Sequence, residues 1–418
     1  MLYMNYLLKK HYIIKIIRFV ILVFVSLVLF TKVSFAGEWV QIGSEWKYIE
    51  NGHYETNKIL DLSDGLYYIN EFGSMATNRW IEFSSETKMY AGSDGKLYKG
   101  GIKLIDNHPY YFNESGILET GWIEDTYYAD EFGVLCTGFK EVEILDYWKD
   151  SNTISNSAWF YFSPDNYKKV HSTDNDYVTK LINGKRYSFN EYGIMSVGWC
   201  KVKDTIPEIA GYMYFNTVLP SKFEFGEAVT NTWYAVEAPK FSDASGDIVW
   251  FYFAANGYPK CGSDTEFSKT LINGKYYLFN KYGNPIYGIR EVQGEYYYFG
   301  DSFQDCSMKT GEIKRTVDGS ETISYYFTTS GQGLTGIKDG KLYYKGRLQT
   351  ADQSVRIEAF RVNNHDYLVN TSGVILKNKS KMRDTDGNEW TTNSSGIVTS
   401  HNEDANISEN LLPEIDLD

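Results

Sequence analysis

The side chains with most chemistry to offer in this sequence are rings: 36 Tyr, 24 Phe and 10 Trp make up 17% of the chain. Most fall in strand-like triplets followed by a glycine, as in Tyr110-Tyr111-Phe112 before Gly116. In an extended triplet adjacent rings point to opposite faces, so some bury while others stay available to a ligand. The catalytic repertoire is thin by comparison. His53, His108, His171, His365 and His401 are dispersed, with no HExxH pair and no close His/Cys cluster, so no metal is expected. No Gly-x-Ser-x-Gly elbow occurs, and no spacing of carboxylates picks out a glycosidase pair. Gly331-x-Gly333-x2-Gly336 has the letters of a dinucleotide fingerprint, but a hairpin-like run follows it, without the helix N-terminus that would hold a pyrophosphate. Asp384-Thr385-Asp386-Gly387 reads as an Asp-Gly turn, since a calcium loop would need its glycine two positions later and a glutamate at Ser395. No cofactor is implied and an enzyme is not expected.

The elements that must position these rings are short hairpins. The stretch Leu181 to Trp199, LINGKRYSFNEYGIMSVGW, returns almost unchanged from Leu271 as LINGKYYLFNKYGNPIYGI. Asn183-Gly184 supplies the two positive-φ positions of a tight turn, Tyr187 to Phe189 the returning strand, and Asn190 to Gly193 a second turn. Copies recur close to every twenty residues or a multiple of it, and no amphipathic helix is evident. A lone hairpin is marginal in water and must dock its rings on the next copy. The expected fold is all-β, an elongated solenoid of stacked β-hairpin repeats over residues 37–400, with ligand grooves at the joins. The longer intervals Lys140–Tyr177, Val202–Ser268 and Gly300–Ser324 keep strand signals and read as lengthened repeats, not as inserted domains.

Two patterns carry a resemblance. Trp39-x3-Gly43-x2-Trp46-x-Tyr48-x3-Gly52 and Phe112-Asn113-x2-Gly116-x-Leu118-x-Thr120-Gly121-Trp122 resemble the choline-binding, cell-wall-binding repeats of Gram-positive surface proteins. The form at Ile272 to Gly283 is similar to glucan-binding repeats and to the carbohydrate-binding repeats of large clostridial toxins. The choline-binding resemblance implies a quaternary ammonium boxed by aromatic faces of successive hairpins, each well-placed face contributing about 0.5 to 2 kcal/mol. Three boxes are implied: Trp39, Trp46 and Tyr48 with Tyr67 or Tyr68; Trp122 with Tyr127 and Tyr128, on a hairpin two residues shorter than the pattern; and Trp199 with Tyr212 and Tyr214. Where the pattern has Gly-Trp, later copies have Gly288-Ile289 and Gly336-Ile337, closer to the sugar-reading forms.

Lys9, Lys10, Lys15 and Arg18 precede an apolar run from Phe19 to Phe30, and Ser34-Phe35-Ala36 offers a cleavage site, so residues 1–36 are expected to be a secretory signal peptide. The run is too short to span a bilayer, and no second apolar segment of spanning length follows. Losing the leader, with its five basic residues including Lys32, would take the net charge from −13 to −18, which disfavours nucleic acid. Cys136, Cys200, Cys261 and Cys306 are expected to be unpaired thiols, and the acidic stretch 401–418 a disordered tail. The resemblance implies a secreted, non-catalytic, cell-surface or wall-associated protein with a cell-wall partner, either choline-bearing teichoic acid or glycan. A host-glycan lectin and a wall hydrolase stand as the alternatives.

Overall fold

The computed structural model describes residues 37–149, 155–173, 178–263, 268–317 and 321–416; the expected leader lies outside them. The described fold is all-β, built from antiparallel hairpins in sheets of two or three strands, with a single five-stranded sheet containing Gly311–Val317 and Glu321–Phe327. Three short 3-10 turns, Asp146–Trp148, Glu208–Gly211 and Phe303–Asp305, are the helical elements among the described residues. None of the described helices is long and apolar enough to cross a membrane.

The turn chemistry works as the sequence predicts. Val178–Ile182 pairs with Lys185–Phe189 through Asn183 and Gly184, whose φ values are 50° and 77°. Its copy pairs Ser268–Ile272 with Lys275–Phe279 through Asn273 and Gly274 at 49° and 78°. After several returning strands an Asn or Asp closes the second turn with its side chain. The Asn190 Oδ1 accepts from the amides of Tyr192 and Ile194, and Asn70, Asn113, Asp130, Asn280, Asn370 and Asn393 make the same pair of bonds.

What joins one hairpin to the one before it is a backbone staple. Beyond the second turn the chain folds back so that one residue bridges the end of its own hairpin, as Met75 does with Ile69 and Leu118 with Phe112. The amide of that residue then donates to a carbonyl of the preceding hairpin: Met75 to Trp46 at 2.7 Å, Leu97 to Leu66 at 2.8 Å, Leu118 to Lys88 at 2.9 Å, and later Met195 to Trp159 at 2.8 Å. Each join therefore buries its own small apolar cluster, and the core is a series of such clusters. Phe112, Phe189, Phe215, Phe253 and Phe279 plug the strand ends with no exposure.

The chain divides into two compact units, one running to Lys140 and including Phe162–Lys169, the other holding Glu141–Tyr161 and Val170 onward. In the second unit the long interval after Val202 contains the hairpin Thr232–Glu237 with Ile248–Phe253, a lengthened repeat as expected. The four cysteines are free thiols, and burial pushes the Cys200 thiol up to about 11.

The C-terminal stretch departs from expectation. Residues 401–416 are ordered against the second unit, while 417–418 lie outside the described residues. His401 ends a strand paired with Trp390, Ser408 donates its amide to Ala359, and Leu411 exchanges bonds with Gln349. Asp416 accepts two bonds from Arg315 at 2.8 and 2.9 Å and one from the Ile289 amide at 2.6 Å. The acidic composition that suggests solvation is matched by arginines along the path: Arg315 and Arg347 are half-buried, and Arg290, buried itself, donates to the Asp416 carbonyl.

Candidate functional site

At five hairpins the second residue of the first strand is Trp, placed by the antiparallel register opposite a Tyr of the returning strand: Trp39 with Tyr48, Trp80 with Tyr90, Trp122 with Tyr128, Trp199 with Tyr214 and Trp233 with Tyr252. Each pair meets edge to face, with centroids 5.0 to 5.4 Å apart. In three of them the next hairpin adds a second Tyr, two residues before the buried residue that ends its strand. Tyr67 lies 5.0 Å from Trp39 at 64°, Tyr110 lies 5.0 Å from Trp80 at 68°, and Tyr277 lies 5.0 Å from Trp233 at 60°. The result is a three-walled aromatic corner at a join, built three times with nearly the same geometry. Met75 packs in the cluster of the first corner and Leu118 in that of the second, so the stapling residues also floor these cages.

The structure sorts the sequence candidates. Trp39, Tyr48 and Tyr67 come together. Trp46 does not join them; its side chain is 41% exposed, because it sits an even number of residues from Tyr48 but at the open turn end of the hairpin. Tyr68, the other option for the third wall, faces away toward Phe83 and donates its hydroxyl to Asn57. Trp122 meets Tyr128, but Tyr127 points to the opposite face and packs with Tyr111. Trp199 meets Tyr214, whereas Tyr212 lies against Phe241. The third side of the Trp199 pair is Phe251 at 4.9 Å, the indole N–H is held by the Glu237 carbonyl, and the whole group packs on a buried cluster with Phe223 and Val236. That join is core.

Sequence reasoning missed the cages of Trp80, Tyr90 and Tyr110 and of Trp233, Tyr252 and Tyr277. Both tryptophans follow Arg79 and Thr232 in place of glycine, so a Gly-Trp pattern passes over them. The near-equal offsets from Trp39 to Trp80 and from Trp80 to Trp122 are the signal that finds the first of them.

Carboxylates surround the cages. Asp64 accepts from the Tyr67 hydroxyl at 2.8 Å; that bond, with Lys96 nearby, holds its carboxyl below the usual range, while burial and the same bond push Tyr67 up to about 12. Burial, then Asp106, raises Tyr90, and burial, then Asp130 and Asp106, raises Tyr110. Neutral phenols with fixed negative charge beyond them make a setting that favours a cation over an anion. Among the described residues no group of three or more His, Cys, Asp or Glu could hold a metal.

No protein-family model matches this chain, and no curated protein does. The chain is similar to choline-binding proteins of known structure. Choline binding protein F from Streptococcus pneumoniae matches at 18% identity and a TM-score of 0.39, over 88% of this chain and all of that one. CbpJ from the same organism matches at 18% and 0.33, over 87% of this chain and all of its own. The modular autolysin LytC matches at 19% and 0.30, over 73% of this chain and 49% of that protein.

Proposed function

We propose that this chain is a secreted, non-catalytic binding protein whose aromatic cages hold quaternary ammonium groups displayed along a cell-wall polymer, such as choline-bearing teichoic acid. The observation that carries the reading is the repetition of one cage, Trp39–Tyr48–Tyr67, at Trp80–Tyr90–Tyr110 and Trp233–Tyr252–Tyr277. A trimethylammonium group is large, soft and cheaply desolvated, and three ring faces with carboxylates behind them stabilise it without hydrogen bonds. A sugar would require polar partners beside the rings, and the Tyr67 hydroxyl is already engaged by Asp64. Individually weak cages on one chain add up on a polymer that repeats its headgroup, because the second contact is intramolecular.

The test is retention of residues 37–418 on immobilised choline and release by free choline. Passage through that resin with retention on neutral glycan would replace the ammonium reading with a lectin one, and clearing of purified cell walls would replace it with a hydrolase.

A further inference from the structure

The Trp122 join has two of the walls of a cage, Trp122 and Tyr128, and carries a basic residue at the stapling position. Among the described residues, those that bridge back to the end of their hairpin and donate their amide to the preceding one are Met75, Leu97, Leu118, Leu135, Met195, Ala228, Gly333 and Ile375, all apolar or without a side chain; beyond Phe162 the residue is Lys169. The backbone of Lys169 is tied down as its counterparts are, by the bridge to Phe162 and by its amide donating to the Thr126 carbonyl at 2.9 Å. With the main chain held there, the Lys169 Nζ sits over the Trp122 ring, 5.4 Å from its centroid. Trp122 is walled on its other sides by Tyr128 at 5.3 Å and Phe162 at 5.8 Å.

Resting on the ammonium reading of the cages, we propose that Lys169 is a built-in ligand: its own ammonium fills the Trp122 cage and closes that site to external quaternary ammonium groups. It thereby sets how many sites the chain offers, and which. The energetic logic is competition. A tethered cation over a ring face is present at high effective concentration, so a free headgroup of similar per-ring attraction cannot displace it at ordinary concentration. Burial works against the charge and pushes the Lys169 ammonium down to about 8, with Asp125 pulling the other way.

The experiment is a calorimetric titration of residues 37–418 with choline, comparing the wild type with Lys169→Met, which restores the residue type of the first cage. The expected result is one additional choline per chain, lost again when Trp122→Ala is combined with it. An unchanged stoichiometry in a wild type that binds choline overturns the inference and leaves the functional reading intact. An independent readout is the ring-current shift of the Lys169 ε-methylene protons by NMR. An upfield shift that vanishes in Trp122→Ala supports the seated lysine even if choline proves to be the wrong ligand, and its absence overturns the proposal whatever choline does.

Discussion

At the scale of single residues, the cages separate rings that a sequence pattern treats alike. Trp39 and Trp46 both belong to the same motif, yet one is a cage wall and the other an exposed ring beyond it. Trp80→Ala should weaken choline binding at its site by roughly 2- to 30-fold, the loss of about 0.5 to 2 kcal/mol from one ring face, whereas Trp46→Ala should leave it unchanged. Equilibrium titration of the two variants beside the wild type checks this, and equal losses would remove the cage assignment. The tyrosines carry a pH signature. Tyr67, Tyr111 and Tyr343 are each pushed up to about 12, first by burial, and so stay protonated in the fold where an unfolded chain ionises near 10. The folded state therefore holds more protons between pH 10 and 12, and stability must fall as pH rises through that window. Thermal melts at stepped alkaline pH, followed by tyrosinate absorbance, should show ionisation and unfolding together.

At the scale of the element, stability is a matter of joins. The hairpin itself is written locally, in Asn-Gly turns and Asn-closed second turns, and would persist poorly alone. The staple supplies what the hairpin lacks, and its position tolerates little. At Gly333, whose amide donates to the Tyr296 carbonyl, an added Cβ would stand 2.3 Å from the Lys345 carbonyl oxygen and 2.8 Å from the Gly346 nitrogen. Because those atoms are backbone and cannot swing away, Gly333→Ala should cost about 1–3 kcal/mol. Phe112→Ala, which empties a fully buried strand-end plug, should cost about 3–5 kcal/mol. Denaturant melts of both variants check these figures. A Gly333→Ala melt indistinguishable from wild type would mean that the staple does not constrain its join.

At the scale of the whole molecule, the C-terminal stretch is a strap on the second unit and not a solvated tail. Its anchor is Asp416: burial alone would raise this carboxyl, but the Arg315 hydrogen bonds and the Ile289 amide outweigh it and hold the group below the usual range. A carboxylate lowered in the fold contributes stability that is fully present above its unfolded value near 4 and is lost as pH falls through its folded value. Acidification below pH 4 should therefore loosen the strap, read as faster hydrogen exchange at the Ile289 amide. Asp416→Ala should do the same at neutral pH and destabilise the second unit by about 1–3 kcal/mol, since largely buried Arg315 and the Ile289 amide lose their carboxylate partner. Exchange at Ile289 unaffected by either change would show that the strap is not held there.

The sequence alone determined the hairpin, its turns, its recurrence and the all-β class, because these rest on residues a few positions apart: Asn183 beside Gly184, Asn190 before Gly193, alternating rings in between. It also named Trp39, Tyr48 and Tyr67, which the structure brings within ring contact of one another, together with Trp46 and Tyr68, which it does not. Only the tertiary structure decided which tryptophans face a groove, since the third wall comes from another hairpin and its direction depends on how the two dock. For that reason Trp80 and Trp233 went unread, Trp46, Tyr68, Tyr127 and Tyr212 fell outside the ring contacts of these corners, and Trp199 met Phe251 where the others meet a tyrosine. The strap and Lys169 follow the same rule. Composition reports an acidic end and a basic residue, while the partners that order them, Arg315 about a hundred residues away and the face of Trp122, are brought near only by the stacking of the repeats.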